Sequence, residues 1–301
     1  VLPLRVLCLS ATRPLAPEAR WARVGAPDDG VRQRPLPPYL VPLALVIDVR
    51  DLEKSFGGKP VLRGVSMEIP EGQTYCLIGR SGSGKSVLLK HLVGLITPDA
   101  GRVIVDGAPL DELTYSELRR VRRKFGVLFQ GGALFDSMSA IENVEFPLQT
   151  FTDLDRREAR RRALECLELV ELPDVGKKAP GELSGGQQKR VALARAIAIE
   201  PAYILYDEPT SGLDPETSQT IDDLIERLGR ELGTTSVVVS HDMHSVLRIA
   251  DHVGFLHEGK LHWKGTVDDL HAADDPTLLS FVRANEYQIG RPARTAGAVS
   301  S

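Results

Sequence analysis

Cysteine is scarce in this chain: three residues, Cys8, Cys76 and Cys166, stand far apart with no C-x-x-C pair. That excludes a disulfide framework and a thiolate metal site, and it suits a reducing cytosol. No apolar run approaches the roughly 18–20 residues that a membrane span needs, so any membrane role must come through a partner. An excess of positive charge is missing too: the formal net charge is −4, which argues against a surface built to hold nucleic acid, although local basic clusters remain. Histidine is sparse and badly spaced for a metal. His241 and His244 stand one helical turn apart without a further ligand cluster, and His252, His257, His262 and His271 scatter as surface or packing residues. What is abundant is ordinary core material: 42% hydrophobic and 26% charged in 301 residues excludes disorder throughout. The length suits one large α/β domain or two modest ones.

The first 43 residues differ from the rest. Prolines 3, 14, 17, 27, 35, 37, 38 and 42 interrupt every possible element, so the segment is expected to be a poorly ordered extension. Its opening Val1–Leu9 is too short for an export signal, carries Arg5 inside and lacks a basic start; it is read as a mis-assigned or non-native lead. Residues 288–301 are small and polar and are expected to be a flexible tail.

Gly79-Arg80-Ser81-Gly82-Ser83-Gly84-Lys85-Ser86 fits G-x-x-x-x-G-K-[ST]. In such a loop successive backbone N–H groups face phosphate oxygens, the lysine reaches the β/γ-phosphates and the hydroxyl ligates Mg²⁺. Thr74–Ile78 before it reads as a short buried strand and Val87–Val93 after it as a helix, so the helix N-terminus adds to the anion site. A plain connecting turn would not need all four specified positions together with both flanks.

Elsewhere, apolar alternation around Gly57-Gly58 predicts antiparallel strands near Leu45–Val49 and Val61–Ile69, with a further strand between Gly101 and Gly107. Three capping boxes, Thr114 to Glu117, Ser139 to Glu142 and Asp155 to Glu158, predict helix starts. The first helix carries Arg119, Arg120, Arg122, Arg123 and Lys124, a solvated or partner-facing surface more readily than a nucleic-acid grip. Phe125–Phe129 reads as a strand ending at Gln130, and residues 131–182 as a mostly helical insertion.

Ser184-Gly185-Gly186-Gln187 opens a second helix with an anion-binding end. Ile204–Tyr206 then delivers Asp207 and Glu208 at a strand tip, where open α/β sheets hold ligands. Asp207 suits Mg²⁺ ligation and Glu208 suits a general base for water attacking the γ-phosphate. Asp214-Pro215 is an N-cap with proline at the first helical position, and the strand after Gly233 places His241 at its tip.

The order of these motifs, phosphate loop, Gln130, Leu-Ser-Gly-Gly-Gln, Asp207-Glu208, Ser211-Gly212-Leu213-Asp214 and Ser240-His241-Asp242, resembles the ATP-binding subunit of ABC transporters over residues 44–287. The resemblance implies a P-loop NTPase α/β core with an antiparallel β subdomain and the helical insertion. It also implies that Phe56 stacks on adenine, that Gln130 senses Mg²⁺ and the lytic water, that His241 contacts the γ-phosphate and that Asp214 lines a dimer interface. Two copies would pair head to tail, Ser184, Gly185, Gly186 and Gln187 of one closing over ATP held by Lys85 of the other. The chain would sit peripherally on the cytoplasmic face of the inner membrane, docked on a separate permease through the surface from Gln130 to Pro147, where a partner helix would bury Leu134, Phe135 and Phe146.

Within that family, Val127–Met138, Glu142–Leu148 and Phe281–Asn285 look most like the ATPases of Mla/Mce-type lipid transporters, implying phospholipid cargo and an Mce-type lipid-binding partner. An importer of polar solutes and a non-transport ABC protein acting on ribosomes or DNA are the alternatives; one compact cassette speaks against the latter, and no nucleic-acid partner is expected.

Overall fold

The structure, a computed structural model, describes residues 45–285. The expected N-terminal extension (1–43) and C-terminal tail (288–301) lie outside the described residues.

Two sheets form the frame. β1 (Leu45–Phe56) and β2 (Lys59–Pro70) are antiparallel neighbours joined at the Gly57-Gly58 turn, and β4 (Ala100–Val105) pairs with the other edge of β1. A short β5 (Ala108–Pro109) completes the order β2-β1-β4-β5. Alternating burial along β2 follows from its period-2 sequence: Leu62, Val65, Met67 and Ile69 face inward.

The second sheet holds β3 (Thr74–Ile78), β6 (Phe125–Leu128), β7 (Tyr203–Asp207), β8 (Thr235–Ser240), β9 (His252–His257) and β10 (Lys260–Thr266), in the order β10-β9-β3-β8-β7-β6. All its pairings are parallel except β9 with β10. Its central strands are buried almost without a break, as expected of strands covered on both faces. The sheets are tied at Arg63, whose N–H donates to the Gly259 carbonyl (2.8 Å), and by the Tyr203 hydroxyl, which donates to Asp106.

The helices are α1 (Lys85–Leu92), α2 (Tyr115–Arg122), α3 (Ala140–Phe151), α4 (Arg156–Leu169), α5 (Gly185–Ile197), α6 (Pro215–Leu232), α7 (Met243–Ile249), α8 (Val267–Ala272) and α9 (Pro276–Ala284). All three capping boxes are formed, Asp214 caps α6 and Gly233 closes it. The expected helical insertion contains α3 and α4. These two helices do not close a core of their own: Val144, Leu148, Ala163 and Leu167 join Val191 and Leu193 of α5 and Tyr206 of β7 in one buried cluster. Each helix has a single apolar face, and the pair needs α5 as its third wall.

The segment entering α3 is fixed by one buried side chain. Asn143 accepts from the Phe135 N–H at 2.8 Å and donates to the carbonyls of Phe135, Met138 and Ser139 at 3.1–3.2 Å. Asn143→Ala leaves those backbone groups without their partner and is expected to lower stability by about 2–3 kcal/mol. A denaturant midpoint equal to that of the wild type would show that the loop does not depend on this residue.

Candidate functional site

The phosphate-loop sequence forms the turn between β3 and α1 that its spacing predicts. Gly79 cannot be replaced there, because a Cβ would lie 2.3 Å from the Leu256 carbonyl oxygen of β9; at Gly84, φ is 106° and a Cβ would meet Leu62 at 2.9 Å. Lys85 is buried, and its Nζ donates to the carbonyls of Gly79 (2.7 Å) and Arg80 (3.1 Å), which holds the turn closed from inside. Burial pulls its pKa below the ordinary lysine value, while the Glu208 and Asp207 carboxylates pull it back up. The Ser83 hydroxyl is buried without a hydrogen-bond partner. The first N–H groups of α1 have no intrahelical acceptor and are available to an oxyanion.

A cavity of about 550 Å³ opens over this turn, walled by Arg80, Ser81, Gly82, Gly84, Lys85 and Ser86 and, opposite, by Gln130, Glu208 and His241. His241 Nδ1 lies 2.7 Å from Glu208 Oε2. The Ser86 hydroxyl donates to Asp207 Oδ1 at 2.9 Å, just beside the cavity. Hard oxygen donors from α1 and β7 therefore meet at one place, a donor set that fits Mg²⁺.

Other expected site residues lie elsewhere. Phe56 is exposed at the β1–β2 turn, with Lys54 Nζ 5.6 Å from its ring centroid, and Asp214 and Ser184 cap helices away from the cavity wall. Ser184 and Gln187 bond reciprocally (3.1 and 3.3 Å), and Gly185 and Gly186 lie against Leu213 and Thr217, so the Ser184 and Asp214 turns share one surface.

Two features were not read from the sequence. The C-terminal end of α9 supplies Phe281, Ala284 and Asn285 to the cavity wall; nothing in the local sequence signals that approach. Lys189 is buried on α5 beneath Gln130 and Glu208 and donates to both their carbonyls. A signal existed: Lys189 falls on the same helical face as Leu193 and Ile197, where a charge needs a reason.

A second cavity, about 630 Å³, lies beyond the Gln130 loop among Phe129, Phe135, Phe146, Arg119, Arg123 and Arg195. Phe135 and Phe146 are 42% and 37% exposed with ring centroids 4.9 Å apart, and the Arg195 guanidinium sits 5.9 Å from the Phe135 centroid. Leu134, expected to share that surface, instead packs on the core. Among the basic residues of α2, Arg122 turns inward and donates to the carbonyls of Val93 and Gly94 (3.1 and 2.6 Å).

Comparison with known proteins places this geometry. The ABC transporter family model matches residues 62–211. The chain is 40% identical over 250 residues to the "probable ribonucleotide transport ATP-binding protein mkl" of Mycobacterium leprae, covering 83% of this chain and 72% of that one. The chain belongs to the ABC transporter family. Among other relatives, the "intermembrane phospholipid transport system ATP-binding protein MlaF" of Escherichia coli is 40% identical (80% of this chain, 89% of that one). The "methionine import ATP-binding protein MetN" of Caulobacter vibrioides is 42% identical (84% and 77%). The dimeric post-hydrolysis structure of the ATP-binding cassette MJ0796 bound to ADP and Pi superposes with a TM-score of 0.68 at 36% identity, covering 73% of this chain and 98% of that one. This ABC protein is an ATPase subunit, and among the described residues no helix is long and apolar enough to cross a membrane.

Helix α6 carries a buried acid, Asp222. Asp222 of α6 accepts from the Ser245 hydroxyl at 2.7 Å; the same hydroxyl lies 3.2 Å from Asp242, which caps α7. Burial pushes the Asp222 carboxyl up to about 6 from its ordinary 3.8, with Asp242 and Asp223 adding to the rise and Ser245 and Arg248 opposing it. The folded chain thus holds this proton longer than the unfolded one, so the contribution to stability is largest below the ordinary value and is lost as pH rises through about 6. Between about pH 4 and pH 7, Asp222→Asn is expected to gain roughly 2–3 kcal/mol relative to wild type. Denaturant unfolding across that range measures it, and parallel pH curves would show that Asp222 ionises alike in both states.

Proposed function

We propose that this ATPase subunit pairs head to tail with a second copy around two ATP molecules and drives a membrane permease that moves phospholipids or related lipids. The observation that carries the ATP reading is the convergence of Lys85, Gln130, Glu208 and His241 on one cavity above a phosphate turn. Lys85 and the α1 N-terminus would hold the phosphates. Ser86, Asp207 and Gln130 would hold Mg²⁺, which neutralises charge on the β- and γ-phosphates when bound. Glu208 would take the proton of the attacking water, and His241, hydrogen-bonded to it, would keep it aimed and reach the γ-phosphate. Phe56 would stack on adenine across the open side.

Pairing is supported by the exposed Ser184 turn and its neighbour Asp214: both carry donors or an acid on one surface, and neither faces the cavity of its own chain. Binding of the γ-phosphate between copies would favour the closed pair, and hydrolysis would release it. The permease would seat a helix in the Phe129–Phe135–Phe146 groove, giving the subunit a peripheral place on the cytoplasmic face of the membrane. An Mce-type lipid-binding protein would complete the system.

Lipid cargo rests on the likeness to the phospholipid-transport relative and on the Val127–Met138 and Glu142–Leu148 segments. Relatives named for methionine and ribonucleotide transport, at 42% and 40% identity, favour a polar solute instead.

Glu208→Gln is expected to keep ATP binding and slow hydrolysis by roughly 10²–10⁴-fold. Turnover near the wild-type rate would remove Glu208 as the base. For cargo, Phe135→Asp is expected to leave the isolated subunit folded and nucleotide-binding while weakening permease association and abolishing ATP-dependent transfer of labelled phospholipid between vesicles. A folded variant that still transfers lipid sinks the docking surface; a purified complex stimulated by an amino acid or nucleotide, with no lipid bound, sinks the cargo.

A further inference from the structure

Beneath the cavity, one side chain reaches two of the residues that face it. Lys189 stands on α5, five residues after Ser184, and is buried without lining the cavity. Its Nζ donates to the Gln130 carbonyl and, at 3.1 Å, to the Glu208 carbonyl. A buried ammonium persists only where acceptors meet it. Here the acceptors belong to the main chain of two separate segments, the loop after β6 and the turn after β7.

Each segment has a feature that makes the tie matter. Glu208 has φ 50°, in the left-handed region that a residue with a side chain adopts at a cost. Its N–H donates to Val239 (2.9 Å), and its carbonyl also accepts from the Ser211 N–H (3.2 Å), so Lys189 supplies one of a small set of bonds that hold the conformation. That conformation aims the carboxylate at His241. On the other side, Arg195 lies nearly two turns further along α5 and donates to the carbonyls of Gly132 (2.8 Å) and Ala133 (2.7 Å). Between them Ala192 is against Gly132. The loop from Gln130 to Ala133 is thus carried on a Lys189–Ala192–Arg195 stripe, and Lys189 is where the stripe also reaches Glu208.

We propose that Lys189 is a positioning residue for ATP hydrolysis: by holding the main chain of Gln130 and Glu208 to α5, it couples the helix that begins at Ser184 to the orientation of the base. The inference rests on the reading of Glu208 as that base. Because Lys189 works from behind the cavity, it governs the cleavage rate and leaves nucleotide affinity alone.

The test uses the full chain with three substitutions. Lys189→Met keeps the apolar stem and removes the donor; Lys189→Arg keeps donors; Lys189→Gln carries an amide that falls short of both carbonyls and has the same expected outcome as Met if the Met variant does not fold. Lys189→Met is expected to lower kcat about 10–100-fold, the scale of a small misplacement of a reacting group, with ATP affinity changed less than about 3-fold. Lys189→Arg should recover most of the rate. In a Glu208→Gln background Lys189→Met should slow the residual cleavage no further. An unchanged kcat overturns the proposal, as does loss of affinity and rate together without rescue by Arg, or a full multiplicative loss in the Glu208→Gln background. If Glu208→Gln itself turns over like wild type, the base assignment falls and this coupling with it. If Glu208→Gln is slow and Lys189→Met is not, the coupling alone falls.

Discussion

Parallel pairing in the six-stranded sheet is the constraint from which the site follows. Ile78 is level with Ser240, Asp207 with Val239, and Leu128 with Tyr206. The chain therefore leaves β3, β8, β7 and β6 at one edge, and each exit brings a different side-chain chemistry to one cavity: the glycine-rich turn with Lys85, His241, Glu208 and Gln130. Four segments far apart in sequence meet because their strands end together, which is where open α/β sheets put ligands. A one-residue slip of any of these strands would shift its exit by about 3.3 Å and pull it away from the others.

Two carboxylates at a buried strand tip would repel each other without compensation. Here Lys85 approaches from the turn and Lys189 from α5; burial lowers both their pKa values while Asp207 and Glu208 raise them. Each ammonium spends its donors on main-chain carbonyls, so neither neutralises a carboxylate by direct contact. The carboxylates stay available, Asp207 to the Ser86 hydroxyl and Glu208 to His241. Charge balance in this region is thus regional, and the hydrogen bonds are assigned separately from it.

Local rules made much of this legible. Capping boxes at Thr114, Ser139 and Asp155, the proline after Asp214 and the glycine at 233 each act within one turn of chain, and each element begins or ends where they require. The turn from Gly79 to Ser86 was readable because its backbone path needs glycine at fixed places. What escaped was set by tertiary contact. The role proposed for Lys189 depends on two carbonyls 59 and 19 residues away, and α9 meets the cavity wall through Phe281, whose ring centroid lies 5.1 Å from that of Phe255 in β9. Leu134 was grouped with Phe135 and Phe146 by adjacency, yet the left-handed turn at Ala133 and the Asn143 bonds to Phe135 send the neighbouring side chains in different directions, one to the core and one to solvent.

The contribution of α9 bears on biosynthesis. The phosphate turn is made early, but the strands flanking β3 are β8 and β9, and Phe281, Ala284 and Asn285 are made later still. A chain emerging from the ribosome with its N-terminal side first can present the turn long before it can present the cavity. Nucleotide stabilises whatever state binds it. A chain halted before α9 would lack the wall that Phe281, Ala284 and Asn285 supply, so any support that wall gives to bound nucleotide comes only once α9 is made.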